Sequence, residues 1–162
     1  SQMGGIYDIR SWSDIVTAHL ISGPDIVDGL QSAWKSVGRQ GGVLLLAQMS
    51  SRGNLLTEDY SQNVVDNGIQ SDGVLGFIGN GSRPEEVKDL RRRVGEQKMI
   101  WTPGVNIDSQ EGVLGQRYGN PSEAVRAGSD AIIVGSGIHR SADPLSAARE
   151  YASASWFALL ER

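Results

Sequence analysis

A glycine-bracketed turn near the carboxyl end of the sequence has the build of a phosphate site. The residues "VGSGIHRS", Val134 to Ser141, directly follow the apolar segment "AII". Backbone N–H groups in such a turn can cradle a phosphate, helped by the N-terminus of a following helix. The glycine spacing matches neither the dinucleotide fingerprint nor the Walker loop. A tight turn that needs glycine only for its conformation is the alternative, and the turn by itself leaves both open.

Polar residues after two other apolar segments are further candidates for ligand contacts. The stretch "QMSSRGN" places Ser50 and Ser51 beyond one such segment, and no GxSxG elbow is present, which argues against a hydrolase nucleophile. The stretch "LGQRYGNP" groups Gln116, Arg117 and Tyr118, whose side chains could donate hydrogen bonds to an anion. A polar surface loop is the alternative in both places.

The remaining chemistry-bearing side chains are interpreted as structural. His19, in an apolar strand, and His139 stand 120 residues apart without a cluster of further ligands, so the sequence predicts no metal site. The arginine run 91–93 on a helical segment predicts a solvated face, and Trp34 and Trp156 suit helix packing. The absence of cysteine excludes disulfides and thiolate metal sites.

The composition is that of one water-soluble domain. The chain has 162 residues, of which 39% are hydrophobic and 21% are charged, enough for a real core. A net charge of -4 argues against a nucleic acid or an anionic membrane as partner. No apolar run approaches the roughly 20 residues that cross a bilayer, and the first residues lack the build of a signal peptide. The cytoplasm is the expected location.

Five short apolar segments alternate with helical ones. The predicted strands are "DIVTAHL" from Asp14, "GVLLLAQM" from Gly42, "GVLGFIG" from Gly73, "KMIWTPG" from Lys98 and "AIIVG" from Ala131. The predicted helices are "GPDIVDGLQSAWKSV", "TEDYSQNVVDNGI" capped by Thr57, "SRPEEVKDLRRRVGE" capped by Ser82, "NPSEAVRAG" and "DPLSAAREYASASWFALLER". The opening "MGGIYDIRSW" is interpreted as the end of a further helix.

The strand starts lie 25 to 33 residues apart, the length of a βα module. This predicts an α/β fold, either an open doubly wound sheet or part of a (β/α)8 barrel, whose complete form needs roughly 250 residues. In both architectures ligands bind at the carboxyl ends of the strands. The glycine turn and both serines are predicted to lie at those ends.

In order along the chain, six segments resemble orotidine 5′-phosphate decarboxylase of the eukaryotic type. They are "GGIYDIRSWSDIVTAHLISGPDIVDGL", "LLLAQMSSRGNLLTEDY", "VLGFIGN", "WTPGVNID", "GVLGQRYGNPSEAV" and "GSDAIIVGSGI". The resemblance implies a (β/α)8 TIM barrel that works as a homodimer without metal or organic cofactor. This chain, 1–162, would be a single partial barrel domain covering about strands four to eight, with the amino-terminal strands as its missing partner.

The resemblance also implies a set of site residues and a reaction. Ser50 would hydrogen-bond the pyrimidine, and Pro103 would belong to the wall around the base. Gln116 and Tyr118 would reach the phosphate, which the backbone of Gly135 and Ser136 would cradle. The family removes carbon dioxide from orotidylate to give UMP, through a ring carbanion that a lysine protonates.

Two departures from the family pattern qualify that expectation. No Asp-x-Lys-x-x-Asp motif occurs in the chain, and Lys35, Lys88 and Lys98 fall on helices or at a strand start. No catalytic residue is therefore expected in this chain, and we expect it to be inactive alone. Where the family has an arginine that grips the phosphate, this sequence has Ser136, which should weaken phosphate binding by at most a few kcal/mol, about the strength of a charge-assisted contact.

Three functions remain open at the level of the sequence. The first is the carboxyl-terminal part of an orotidylate decarboxylase. The second is a non-catalytic nucleotide-binding or assembly module derived from that barrel. The third, an unrelated open α/β phosphate binder, does not explain the ordered series of matching segments.

Overall fold

The computed structural model describes residues 2–107 and 119–162, in which five strands alternate with helices. The strands are β1 (Ile15–Ala18), β2 (Gly42–Leu46), β3 (Val74–Ile78), β4 (Met99–Thr102) and β5 (Ala131–Ile132). The helices are α1 (Asp25–Lys35), α2 (Glu58–Gln70), α3 (Pro84–Val94), α4 (Pro121–Arg126), α5 (Ser136–His139) and α6 (Pro144–Leu160). All five predicted strands and all five predicted helices are confirmed, and the four-residue α5 is an addition to them.

The sheet has the order β1-β2-β3-β4-β5, and every neighbouring pair is parallel. Each of β1 to β4 therefore pairs with the strand that follows it in the sequence. A register shift between Val43 and Leu44 interrupts the β2–β3 pairing. Because all strands run the same way, their carboxyl ends and the loops that follow them emerge at one edge of the sheet.

The main core lies between the sheet and the helices. Val43 and Leu45 of β2, Phe77 of β3 and Ile100 of β4 are fully buried in it. Trp34 of α1 is 0% exposed and donates its indole N–H to the Ser13 carbonyl at 2.9 Å. The packing role predicted for Trp34 is confirmed.

The packing role predicted for Trp156 is wrong, since its side chain is 59% exposed. The helix α6 carries apolar residues around much of its circumference, and one face of it packs against α4 and α5. Tyr151 and Ala158 lie buried on that face, whereas Trp156 and Phe157 do not.

Of the two helix caps predicted from the sequence, the structure confirms one. The Oγ1 atom of Thr57 accepts from the N–H of Tyr60 at 3.2 Å, as predicted for an N-cap. Ser82 is not the cap of α3: Arg83 holds that position, and the Ser82 hydroxyl donates to Asn80 Oδ1 at 2.7 Å. Ser82 lies one residue before the cap, and its hydroxyl bonds within the loop after β3.

The segment "MGGIYDIRSW" is not the end of an α-helix. It forms two short 3-10 turns, Gln2–Gly4 and Ile9–Ser11, separated by residues without helical structure. Asp8, which precedes the second turn, has a left-handed backbone with φ 36°. A left-handed residue cannot continue a right-handed helix, so the helical pattern stops there.

The solvated face predicted for residues 91–93 is wrong for Arg91 and Arg93. The Arg91 side chain is only 13% exposed and forms an ion pair with Asp130. Its guanidinium also donates to the carbonyl of Gly128 at 2.8 and 3.0 Å and to that of Gly95 at 2.6 Å. Arg93 is 17% exposed and pairs with Asp89 at 3.0 Å. Arg91 thus binds carbonyl groups at the amino edge of the sheet, and Arg93 binds a carboxylate on its own helix.

We expect Gly76→Ala to lower the free energy of unfolding by about 3 kcal/mol, the upper range for overpacking. A Cβ at this position in β3 would lie 2.2 Å from the carbonyl oxygen of Met99 in β4, and backbone in a paired strand has little room to move. Urea denaturation measures the change. As the matched control, Gly29→Ala on the exposed side of α1 meets nothing within 4 Å and should raise stability by about 0.5–1 kcal/mol. Equal effects of the two substitutions would contradict the predicted close approach.

We expect Arg91→Ala to cost about 2–3 kcal/mol of unfolding free energy, because the carbonyls of Gly128 and Gly95 lose their side-chain donor and Asp130 loses one of its two cationic partners. Thermal and urea unfolding provide the measurement. The neighbouring Arg92, whose side chain is 79% exposed, is the control, and Arg92→Ala should change stability by less than about 0.5 kcal/mol. A similar loss of unfolding free energy in both variants would show that the buried contacts of Arg91 do not stabilise the fold.

Candidate functional site

Four of the six predicted site residues lie at the carboxyl edge of the sheet. Ser50 is in the loop after β2, Pro103 directly follows β4, and Gly135 and Ser136 lie where the chain leaves β5 and enters α5. The parallel order of the strands brings these three segments to one edge. The other two predicted residues, Gln116 and Tyr118, lie outside the described residues.

The loop after β4 is fixed by backbone hydrogen bonds. The Gly81 N–H, in the loop after β3, donates to the carbonyl of Pro103 at 3.0 Å. The Gly119 N–H, just before α4, donates to the carbonyl of Gly104 at 2.9 Å, and the Asn106 N–H donates to the carbonyl of Gly119 at 2.9 Å. Pro103 is half-buried between these links. The segment assigned to the wall around a base is thus held rigidly at the sheet edge.

The turn after β5 offers open space beside an organised backbone. Gly135 is exposed and is the N-cap residue of α5. Its carbonyl accepts from the N–H groups of Ile138 at 3.0 Å and His139 at 3.1 Å. A Cβ at Gly135 would meet nothing within 4 Å, so the space next to this backbone is accessible. The geometry leaves room for a ligand to approach the turn.

A cavity of about 560 Å³ lies beside Ser50, between the loop after β2 and the first turns of α2 and α3. Its wall carries both signs of charge, and part of that charge is paired internally: Arg83 with Glu86 at 2.7 Å and Arg93 with Asp89 at 3.0 Å. Ser50 is the one predicted site residue among its described lining. The cavity therefore does not join Ser50 to Pro103 or to the glycine turn.

Buried amides anchor the loop that carries Ser50. Gln48, 8% exposed, donates from Nε2 to the carbonyl of Glu86 at 2.8 Å and accepts from the Asn80 N–H at 3.0 Å. The Asn80 side chain donates in turn to the Glu86 carboxylate at 2.8 Å. The ends of β2 and β3 are thereby joined to α3. These residues were not singled out from the sequence, although an amide directly after a fully apolar strand, as in "LLLAQ" and "GFIGN", is a usable signal.

The lysines lie on helices or at the opposite edge of the sheet, whereas the two histidines follow strands that end at this edge. Lys98 precedes β4 and donates from Nζ to the carbonyls of Ser71 and Val74 at 2.9 and 2.7 Å, at the opposite edge of the sheet. Lys35 ends α1, and Lys88 is exposed on α3. His19 is exposed just past β1 and not within the strand as predicted, because pairing in β1 ends at Ala18.

The described part of the chain holds neither a cluster of metal-ligating side chains nor a helix that could span a membrane. Within 2–107 and 119–162, no three or more His, Asp or Glu side chains come together in a way that could hold a metal ion. None of the helices described here has the length and apolarity needed to cross a membrane.

Comparisons with known proteins agree on one family. A family model described as orotidine 5′-phosphate decarboxylase / HUMPS family matches residues 1–151. The chain is 41% identical over 162 residues to an orotidine 5′-phosphate decarboxylase of Saccharomycopsis fibuligera, covering 98% of this chain and 59% of the relative. It is 37% identical over 164 residues to the protein of the same name from Coccidioides immitis (strain RS), with 98% and 60% covered.

Two further relatives define how much of a longer protein the chain matches. It is 39% identical over 161 residues to uridine 5′-monophosphate synthase of Bos taurus, covering 98% of this chain and 31% of that protein. The crystal structure of orotidine 5′-phosphate decarboxylase from Pyrococcus horikoshii OT3 superimposes with a TM-score of 0.69 at 26% identity, covering 91% of this chain and 64% of that one. The chain thus spans about three fifths of the decarboxylases it matches, and the fold prediction of a partial TIM barrel is confirmed.

We expect Gln48→Leu to lower the free energy of unfolding by about 2–3 kcal/mol, because the Asn80 N–H and the Glu86 carbonyl then lose a buried partner. Chemical denaturation tests this. Gln62→Leu is the control, since Gln62 is exposed on α2 and bonds only to Asp66 and Arg93 among the described contacts. It should change stability by less than about 0.5 kcal/mol. If both substitutions are equally mild, Gln48 does not anchor the Ser50 loop.

Proposed function

This chain belongs to the orotidine 5′-phosphate decarboxylase / HUMPS family, and we propose that it forms the nucleotide-binding side of an orotidine 5′-phosphate decarboxylase. The whole enzyme would convert orotidylate to UMP and carbon dioxide in pyrimidine biosynthesis. The observation that carries the proposal is the sequential parallel sheet, which assembles Ser50, Pro103 and Gly135 at its carboxyl edge. That edge is where ligands bind in barrels of this architecture.

In this proposal each segment of the edge contacts a different part of the nucleotide. Ser50 hydrogen-bonds the pyrimidine, Pro103 lies against the base, and the backbone of Gly135 and Ser136 holds the phosphate. Gln116 and Tyr118 are assigned to the phosphate as well. Contacts with the phosphate are far from the carbon that reacts, and their binding energy lowers the barrier by organising the site around the reacting group.

The chemistry of decarboxylation requires groups that this chain does not contain. When carbon dioxide leaves, the electron pair of the broken carbon–carbon bond stays on the pyrimidine ring, and a lysine ammonium must deliver a proton to that carbon. The chain has no Asp-x-Lys-x-x-Asp motif, and its three lysines lie away from the carboxyl edge. We assign the acid and its carboxylate neighbours to other β/α units of a complete barrel, with which this chain would associate.

We expect the 162-residue chain alone to release no carbon dioxide from carboxyl-labelled orotidylate, because it supplies binding groups without a proton donor. Addition of a polypeptide comprising the first three β/α units of the Saccharomycopsis fibuligera relative should restore UMP formation. The matched control is the same polypeptide with the lysine of its motif changed to alanine. Turnover by the chain alone, or no UMP in any such mixture, would overturn the proposal.

We expect Ser136→Arg to tighten UMP binding about 10- to 100-fold, since a guanidinium adds charge-assisted hydrogen bonds to the phosphate. Isothermal titration with UMP and with uridine measures it, and uridine affinity should not change because uridine has no phosphate. Ser136→Gln, long but neutral, is the control and should have little effect. Equal gains for UMP and uridine would show that position 136 does not face the phosphate.

A non-catalytic nucleotide-binding or assembly module is the second candidate. The observation that favours it is that β1 and β5 each pair on one side only among the described strands, and open strand edges invite association. Its signature is UMP binding without turnover in any complementation, together with self-association measured as mass in solution. The homodimer and the cytoplasmic location expected from the sequence belong to the first candidate and stay predictions.

A further inference from the structure

The buried hydroxyl of Tyr151 is bonded to the loop after β4. Tyr151 lies on α6 and is 4% exposed. Its Oη donates to Oδ1 of Asn106 at 3.0 Å and accepts from the Ile107 N–H at 3.1 Å. A phenol has one proton to donate and accepts readily, so this loop uses both capacities. The same loop begins with Pro103, at the proposed base wall.

The same hydroxyl also lies against the first turn of α5. A Cβ at Gly137 would stand 2.2 Å from Oη of Tyr151 and 3.0 Å from Cζ. Only glycine allows the backbone to come this close. Gly137 directly follows Gly135 and Ser136, the proposed phosphate cradle, and α5 packs on α6 as a whole. Tyr151 therefore lies between the segments that follow β4 and β5.

The position of the loop after β4 is determined from two sides. Toward β3, the hydrogen bond from Gly81 to Pro103 holds it at 3.0 Å. Toward α5 and α6, the contact is made through the phenol of Tyr151. Loss of the hydroxyl would leave the Ile107 N–H in a half-buried place without this acceptor, which favours a shift of the loop. The first turn of α5, which packs against the phenol at Gly137, would then lose this contact.

We propose that Tyr151 is a positioning residue: its hydroxyl sets the spacing between the loop after β4 and the turn after β5, and so holds the backbone of Gly135 and Ser136 in place for the phosphate of a nucleoside monophosphate. The identity of the ligand rests on the proposed function. The contacts of the Tyr151 hydroxyl with Asn106, Ile107 and Gly137, which we call the clamp, do not depend on it. Tyr151 reaches the ligand through other residues and takes no part in bond breaking.

The first test is Tyr151→Phe, which keeps the ring and removes only Oη. UMP affinity should fall about tenfold while uridine affinity stays within about twofold, because the phosphate cradle moves and the base wall keeps its link to Gly81. Amide hydrogen exchange at Ile107, Ile138 and His139 should accelerate about tenfold, since exchange reports local opening.

The matched control is Tyr60→Phe. The hydroxyl of Tyr60 likewise accepts from a backbone N–H just after a strand, that of Leu20 at 2.9 Å, but it lies beside β1 and α2. This substitution should lower thermal stability by a similar amount and leave the ratio of UMP to uridine affinity unchanged. A purely structural role for Tyr151 would make the two variants indistinguishable in that ratio.

A second variant tests the contact with α5 directly. Gly137→Ala places a methyl group against Oη, so it should weaken UMP binding in the unaltered background. In the Tyr151→Phe background the closest atom is gone. The fold loss of UMP affinity caused by Gly137→Ala should there be about threefold smaller than in the unaltered background, the non-additive result expected for groups in contact. Additive losses would overturn the clamp.

The outcomes separate the two proposals. If the unaltered chain binds UMP no more tightly than uridine, the phosphate site of the proposed function fails, and hydrogen exchange still decides the clamp. If UMP is preferred but Tyr151→Phe changes both affinities equally, or neither, the positioning role is wrong. Unchanged exchange at Ile138 and His139 in Tyr151→Phe would also overturn it.

Discussion

Each of the first four described strands hydrogen-bonds in parallel to the strand that follows it in the sequence, and the positions of the loops depend on that pairing. Parallel neighbours require a crossover of a dozen or more residues, which explains the repeated βα spacing and the helices on one face of the sheet. The parallel pairing also gives the sheet an amino edge, where all strands begin, and a carboxyl edge, where all strands end. Loops after the strands gather at one edge, and the segments that enter the strands gather at the other.

The polar groups at the two edges differ in kind. At the amino edge, Arg91 and Lys98 supply cations to carbonyl groups of neighbouring segments, and Asp130 completes an ionic network with Arg91 and Arg162. At the carboxyl edge, the links are neutral amides and a phenol: Gln48 and Tyr151, with backbone bonds between them. Charged side chains are present at this edge as well, on the wall of the cavity beside Ser50, where Arg83 is paired with Glu86 and Arg93 with Asp89.

In the proposed function, binding and bond breaking are divided between different parts of the barrel. The described strands would hold the base and the phosphate, whereas proton delivery needs an ammonium group at the same edge, and none of the three lysines is there. A barrel fold hosts many reactions, so the assignment of function depends on the family and on the site residues together. The chain matches about three fifths of the related decarboxylases, which is consistent with this division.

The sequence by itself determined the five strands, the helices and the edge where the site lies, because apolar runs, caps and βα spacing are local patterns that survive without tertiary information. It also determined the family, through motifs whose order is fixed along the chain. Only the tertiary structure decided the roles of Arg91, Trp156 and Tyr151. Each of these depends on partners 30 or more residues away, such as Asp130 for Arg91 and Asn106 for Tyr151, or on which face of α6 finds a neighbour. Helical periodicity shows that a face is apolar, but burial depends on what the fold places against it.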